Sequence, residues 1–587
     1  MRRIVVFLSM FVLCGTVFAQ EQSLNIDVKE RILANGLKVL VVERHEVPEV
    51  ACRLFYNVGS ANEVPGITGL SHLCEHMMFK GTKVIGTKDP EKDAEYNTKI
   101  NELVLVIREL KKDEGKNADN LKKFQSELEE VRAAQKEIMI KDQIWQIYMQ
   151  NGATGMNAFT GNDLTGYVVD VPSNKIELFF WMESDRMANA VFREFYSELD
   201  VVKEERRLRE NSPTGFFYET FNAVMYDAHP YMWPVVGWMV DLDNMTLEKA
   251  RKYHATYYVP NNAVLVLVGD VSAKKAFEMA EKYFGPIPRG CEPPPVVTAE
   301  PPQRYEKRIR AVIDTQPFVT IEYHVPEVGH PDIYALQVLD GVISGNSGRL
   351  YKEIVREQEI ATSCRCGLRP SKFPGSFSFR GTPKGRHTPE EIEEAIYGII
   401  ESIKSDPIPD RDIKRAKKQI RARYIRMLTS NGYLSYMLAT VAVMRDWREM
   451  LEAPAKLEKV SAKEIVEVAK KYLTPENRTV GIVTQPDKPS GPYLTVLVRE
   501  MPRTPEAEAQ MEGAKTFLSS QVPDIAIRMD EKNIYIEVGH FAIEEKEAAN
   551  KRLQEVREYD MGGSKPFANA KLVTVGVEKD SDESDDR

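Results

Sequence analysis

His72, Glu75 and His76 stand in the run Ser71-His72-Leu73-Cys74-Glu75-His76-Met77, an H-x-x-E-H spacing suited to metal chemistry. On a helix, residues four apart share a face, so the two imidazoles can reach one ion. A hydrolytic zinc site needs nitrogen or oxygen donors in a tetrahedral arrangement, with one position left for water. Glu75 lies beside the pair, where its carboxylate can take a proton from water attacking a carbonyl. Two histidines do not complete such a site, and a third ligand must come from another element. The run Glu198-Leu199-Asp200-Val201-Val202-Lys203-Glu204-Glu205 puts two carboxylates seven residues apart, two turns of helix, pointing the same way. One can bind the ion while the other orients a histidine or the water. With only 9 histidines in the chain, H-x-x-E-H arises by chance in on the order of one such chain in a hundred. A charged helix by itself reads as a solvated face, so it is the combination that carries the chemistry.

The longer run Gly69-Leu70-Ser71-His72-Leu73-Cys74-Glu75-His76-Met77-Met78-Phe79-Lys80-Gly81-Thr82 resembles the signature of the insulinase and pitrilysin metallopeptidases, a family that includes the mitochondrial processing peptidase. The stretch from Glu198 to Arg207 is similar to that family's second motif. The resemblance implies one Zn2+ per chain held by His72, His76 and Glu205, with Glu204 as the fallback ligand. It also implies Glu75 as general base and Glu198 as an assisting catalytic carboxylate. Gly155 to Thr160 resembles the family's edge strand, where the residues matching Asn157 and Ala158 bind the substrate backbone by strand addition. His229-Pro230-Tyr231, Tyr257-Tyr258-Val259-Pro260-Asn261-Asn262 and Val268-Gly269-Asp270 also recur in the family, and the likeness runs from about Val28 to Pro486.

Two departures from the family pattern stand out. The interval from His76 to Glu205 is long, and a helical insert accounts for it, as in a bacterial, processing-peptidase-like branch. Members that complete the site from a C-terminal domain use an arginine followed seven residues later by a tyrosine; here Arg356 is present but Ser363 takes the tyrosine's place. A serine is too short to replace a tyrosine hydroxyl across a cleft. The loop from Ser344 to Leu350 matches the family's glycine-rich loop only in part. The resemblance therefore implies a zinc-bearing subunit of a heterodimer whose homologous partner supplies the arginine and tyrosine, the alternative being a homodimer with an altered clamp.

The elements that must position these residues follow from hydrophobic period and turn chemistry. Lys38 to Val42 and Ala51 to Tyr56 read as strands around a polar turn at His45, and a helix begins near Gly69. From about 89 to 150 the chain becomes charged and helical. Ile100, Leu103, Val104, Ile107 and Leu110, then Leu121, Phe124, Leu128, Val131 and Ile138, predict an antiparallel hairpin turning at Gly115 to Asn117. Gly155 to Thr160 and Gly166 to Val171 read as paired strands, and Asn174 to Met187 and Glu194 to Glu210 as helices. Ala263 to Asp270 reads as a strand and Ala273 to Phe284 as a helix. Beyond the proline-rich run Pro293 to Pro302, strands are expected near Phe318 to Val325 and Thr479 to Val483. Helices are expected near Ile333 to Val342, Pro389 to Ser405 and Asp410 to Leu428.

The expected fold class is α+β: two homologous-type domains, each a mainly antiparallel sheet with helices on one face, plus the inserted hairpin. The boundaries are 1–19 for a signal peptide, 28–290 for an N-terminal peptidase domain, 291–305 for a linker, 306–487 for a C-terminal peptidase-like domain and 488–587 for an extension. The extension holds a strand at Ile534 to Val538, a helix at Glu544 to Tyr559, a strand at Leu572 to Val577 and an acidic tail.

At 587 residues the chain exceeds one ordinary core. Its net charge of -9 argues against a nucleic-acid partner. Arg2 and Arg3, the apolar run Ile4 to Val17 and Val17-Phe18-Ala19 predict an exported, periplasmic or secreted bacterial protein cut after Ala19. The run is too short for a membrane anchor, so no transmembrane anchor is expected. Five cysteines remain, an odd number, with no close pair suited to metal. Together these features predict a zinc-dependent endopeptidase that hydrolyses peptides or unfolded protein segments by attack of a zinc-activated water. The alternative is a non-catalytic scaffold or binding subunit of the same fold; such members usually lose a ligand or the base, and here all are in place.

Overall fold

The computed structural model describes residues 26–486, 493–504, 507, 525–529, 532–542, 545–558 and 568–575. The expected leader and the acidic tail lie outside the described residues. The chain divides into a unit ending at Thr484 and another beginning at Gln485.

In the first unit, strands β1 (Lys29–Ile32), β2 (Lys38–Glu43), β3 (Glu49–Tyr56), β4 (Thr154–Thr160), β5 (Thr165–Pro172) and β6 (Ala263–Gly269) form a sheet in the order β1-β2-β6-β3-β5-β4. Strands β7 (Lys307–Val312), β8 (Phe318–Val325), β9 (Ala361–Arg369), β10 (Gly375–Pro383) and β11 (Arg478–Thr484) form a second sheet in the order β7-β11-β8-β10-β9. Without β1 the two orders are the same. The pairings correspond as well: β2 runs parallel to β6 as β7 does to β11, and every other neighbour is antiparallel. The fold is thus α+β with two homologous halves, as the sequence predicted.

Every residue of β6, Ala-Val-Leu-Val-Leu-Val-Gly, is buried. Such an uninterrupted apolar strand must be covered on both faces, and the cover comes from two sources. Helices of the first half pack on one face, where Val39, Val41, Leu265 and Leu267 join the main core. The other face, with Leu40, Val42, Phe55, Val264, Val266 and Val268, is covered by Leu434, Leu438, Ala439 and Ala442 of helix Asn431–Met444, which belongs to the second half. The exchange is reciprocal. Phe217 and Phe221 of helix Gly215–Met225, from the first half, pack with Phe318 and Val483 of the second sheet. Gly481 permits that approach, since a Cβ there would lie 2.7 Å from Phe217. Helices on one face therefore describe each half by itself, and each half also caps the other.

Helix α1 (Leu70–Met77) follows β3. It is succeeded by α2 (Pro90–Leu110) and α3 (Glu114–Ile138), the expected hairpin, and then by α4 (Gln143–Gln150), α5 (Ile176–Asn189) and α6 (Phe195–Glu210). The hairpin turns at Lys111 to Asp113, earlier than expected, and Gly115 to Asn117 form the first turn of α3 instead. Asn117 explains the difference: its amide donates to the carbonyls of Leu110 and Asp113, tying the turn from inside the helix. At its neck, Thr87 and Met139 form a β-bridge. Residues 288–304, around the proline-rich run, carry no helix or strand.

The second unit holds strands β12 (Tyr493–Pro502), β13 (Ile525–Met529), β14 (Asn533–Ala542) and β15 (Lys571–Val575) in an antiparallel sheet ordered β13-β14-β12-β15. Val556 of helix Lys546–Glu558 packs on Val496 and Val538. Sequence reasoning found β14, the helix and β15 but not β12 or β13.

Candidate metal centre

Helix α1 starts where Gly69 adopts φ +86°, and a Cβ there would sit 2.2 Å from the Val236 carbonyl oxygen. Only glycine fits both the conformation and the space. Glu63 accepts hydrogen bonds from the Gly69 and Ser71 backbone N–H groups at 2.9 and 2.7 Å, satisfying donors that a helix start leaves open. Leu70, Leu73, Cys74 and Met77 fix α1 in the main core. That leaves Glu75 reaching β4, and His72 and His76 on the flank facing α6.

There Glu205 meets both histidines. Its Oε2 lies 3.6 Å from His72 Nε2 and its Oε1 lies 3.6 Å from His76 Nε2, and the imidazole centroids are 4.7 Å apart. One ligand atom from each of the three lies within 4.8 Å of the others. Tetrahedral zinc with bonds of about 2.0–2.2 Å places its ligand atoms roughly 3.4 Å apart, so the donor set and its spacing fit that ion. Burial, with His76 and Arg209 adding to it, pushes His72 down to about 3. Its imidazole is therefore neutral and its lone pair is available to a metal.

Glu198 supports this set from behind. Its Oε1 lies 2.9 Å from His76 Nδ1, and its Oε2 lies 2.5 Å from Lys80 Nζ. Burial raises the Glu198 carboxyl, but its hydrogen bonds with His76 and Lys80 outweigh that and hold it below the usual range. Burial likewise opposes protonation of His76, while Glu198, Glu205 and Glu75 more than offset it and shift the ring upward. Glu75 accepts a 2.5 Å hydrogen bond from the Thr160 hydroxyl of β4, and burial raises its carboxyl despite that bond. Glu204 points elsewhere: its side chain is 61% exposed and pairs with Arg207 at 2.9 Å, so it is not brought to the histidines.

Asn157 and Ala158 lie on β4, which pairs only with β5 among the described residues and ends the sheet. Ala158 faces the main core, on the α1 side. Arg356, in the π-helical turn Leu350–Glu357, and Ser363, on the edge strand β9, are both exposed. All five described cysteines are free thiols.

Three residues that sequence reasoning missed complete the surroundings: Lys80, Thr160 and Arg193. Arg193, only 1% exposed, forms a two-pronged ion pair with Asp93 of α2 and donates to the carbonyls of Lys80, Thr82 and Ile85. It thereby ties the inserted hairpin to the loop that carries Lys80, which in turn holds Glu198. Lys80 and Thr160 stand within the recognised motifs, and their polar ends are the signal that could have marked them. Arg193 had no local signal, its partners lying about a hundred residues away. Other recurring residues prove to be scaffolding: Tyr231 hydrogen-bonds Asp163, and Asn262 bonds the carbonyls of Asn57 and Tyr257.

Two homologous sheets, only one of them bearing two histidines and a carboxylate on facing helices, define a class. The helix that stands in the second half where α1 stands in the first, Asp332–Ile343, contains no histidine. The chain is similar to the insulinase/pitrilysin family: the family model described as Insulinase (Peptidase family M16) matches residues 38–96, and that described as Peptidase M16 inactive domain matches residues 244–420. Among individual proteins, the chain is similar to the zinc protease PqqE of Helicobacter pylori, 26% identical over 451 residues that cover 75% of this chain and 89% of that protein. It is also similar to the uncharacterized zinc protease YmxG of Bacillus subtilis, 24% identical over 413 residues, covering 69% and 85%. In fold it resembles the crystal structure of a protease from Helicobacter pylori, with a TM-score of 0.66 and 24% identity, covering 78% of this chain and all of that one. No helix among the described residues is long and apolar enough to cross a membrane.

Proposed function

We propose that this chain is a zinc-dependent endopeptidase acting on peptides or unfolded protein segments, and that it works as the catalytic subunit of a heterodimer. The observation that carries the proposal is Glu205, whose two carboxylate oxygens each lie 3.6 Å from an Nε2 of His72 or His76. A Zn2+ held by these three residues would supply Lewis acidity, lowering the pKa of water and polarising a peptide carbonyl. The protein's own groups do the rest. Glu198 and Lys80 fix the His76 ring, and a fixed ring presents its lone pair in one direction. Glu75, held by Thr160, would accept a proton from water and hand it to the departing amine. Asn157 and Ala158 would hold the substrate backbone as an added strand on β4.

Exposed Arg356 without a tyrosine at position 363 supports a homologous partner that contributes the arginine and tyrosine of the clamp. The basic and apolar start of the sequence supports export with cleavage after Ala19.

The test uses the chain from residue 20 onward, stripped with chelator and reloaded with zinc, alone and with candidate homologous partners. Wild type should bind one zinc and cleave unfolded peptides once the partner is present. Glu75→Gln should keep the zinc, measured by elemental analysis, and lose roughly 10²–10⁴-fold in rate. Hydrolysis indifferent to Glu75→Gln would leave a binding scaffold of the same fold, and full activity of the lone chain would remove the heterodimer.

A further inference from the structure

The inference concerns substrate selection and rests on the proposal that a peptide lies along the free edge of β4. Residues along this strand alternate between the two faces of the sheet. Thr160 reaches Glu75 on the α1 face, and Ala158 packs on the same side. Phe159 lies on the opposite face, against the core that helix Asn431–Met444 covers. Its register partner on β5 is Gly166, where a Cβ would come within 2.7 Å of both the Phe159 and Phe55 rings. The missing side chain lets those rings meet edge to face over the strand, with centroids 5.4 Å apart. Tyr436 closes over the pair, 5.6 Å from Phe55 and 5.4 Å from Phe159. It remains 36% exposed, and Tyr433, one turn earlier on the same helix, is 40% exposed.

The result is an aromatic platform that begins in the middle of the sheet and reaches its open edge, with one ring supplied by the half that has no metal ligands. A strand added to β4 would alternate its own side chains between the α1 face and this platform, and cross-strand neighbours approach to about 4.5–5.5 Å between Cβ atoms. We propose that Phe159, backed by Tyr436, is a specificity-determining subsite that prefers large apolar or aromatic side chains at alternate positions of the substrate, those pointing away from His72 and His76. Phe159 makes the contact; Tyr436 is a positioning residue that holds the ring.

The probe is a set of labelled peptides of about ten residues, with one phenylalanine stepped through an alanine, serine and lysine background. Binding is read by fluorescence anisotropy on the full chain carrying Glu75→Gln, so turnover does not enter. Phenylalanine should raise affinity about two- to fivefold with a period of two positions. Phe159→Ala and Tyr436→Ala should flatten that pattern, whereas Tyr436→Phe, which keeps the ring, should preserve it. A preference without the period, or a period unmoved by both alanine variants, overturns the platform alone. Failure of every peptide to bind overturns the strand-addition proposal and the platform with it, while leaving zinc content and hydrolysis to be judged by the earlier test.

Discussion

Glu198 and Glu204 share one helix and one side-chain chemistry, yet their surroundings assign them opposite weight. Glu198 is enclosed between His76 and Lys80, whereas Glu204 faces water. Glu198→Ala is expected to lower zinc affinity roughly 10–100-fold, the usual cost of losing a partner that orients a ligand, and Glu204→Ala to leave it unchanged; competition against a chromogenic chelator measures both. A second residue-scale prediction concerns His254, stacked on Tyr258 at 4.9 Å and met edge-on by Phe192. Burial pushes its imidazole down to about 4, so the unfolded chain takes up a proton that the folded chain refuses. Stability is then fully present above pH 6.5 and falls as the pH drops from 6.5 toward 4, by about 1.4 kcal/mol per pH unit. His254→Phe should lessen the fall in urea melts across the range by that amount, leaving the share that His72 contributes. At this scale the two imidazoles, Glu75, Glu198 and Glu205 were legible in advance, because i, i+4 and i, i+7 spacings are local facts about a helix. Choosing Glu205 over Glu204 rested on family likeness, and the geometry now supplies a physical reason for it.

The inserted hairpin shows what an element can and cannot reveal by its own pattern. The apolar period announced α2 and α3, but the turn was misplaced because Asn117 and Gly115 look like loop residues, while the chain bends at the charged run Lys111 to Asp113. Nor does the period disclose that Asp93, near the start of α2, is buried against Arg193. Asp93→Ala leaves the guanidinium buried and unpaired, which should destabilise the first unit by about 3–5 kcal/mol. Replacing Arg193 and Asp93 together by leucine should cost less, since no lone charge remains. A thermal-melt series of the single and double variants decides this, and equal losses would show that the pair matters only through packing. Strand β10 was missed although Phe377 and Phe379 alternate with Ser376, Ser378 and Arg380 in a half-buried period.

At the scale of the molecule, the first unit is held together by exchanged helices more than by the segment joining its halves. The outer face of the first sheet, from Leu40 and Val42 to Val268, is covered by Leu434, Leu438 and Ala442. Residues 28–290 produced alone would present that face to water and should aggregate; coproduced with 306–487 they should elute as one species in size-exclusion chromatography. Independent solubility of the first half would contradict the mutual capping. The same exchange bears on the proline-rich stretch at 288–304, where Val297 is 81% exposed and no helix or strand protects the backbone. A protease nick there would cut the covalent thread while leaving the two fragments interlocked, so nicked material should run as two bands under denaturing conditions yet travel through a native gel as an undivided particle.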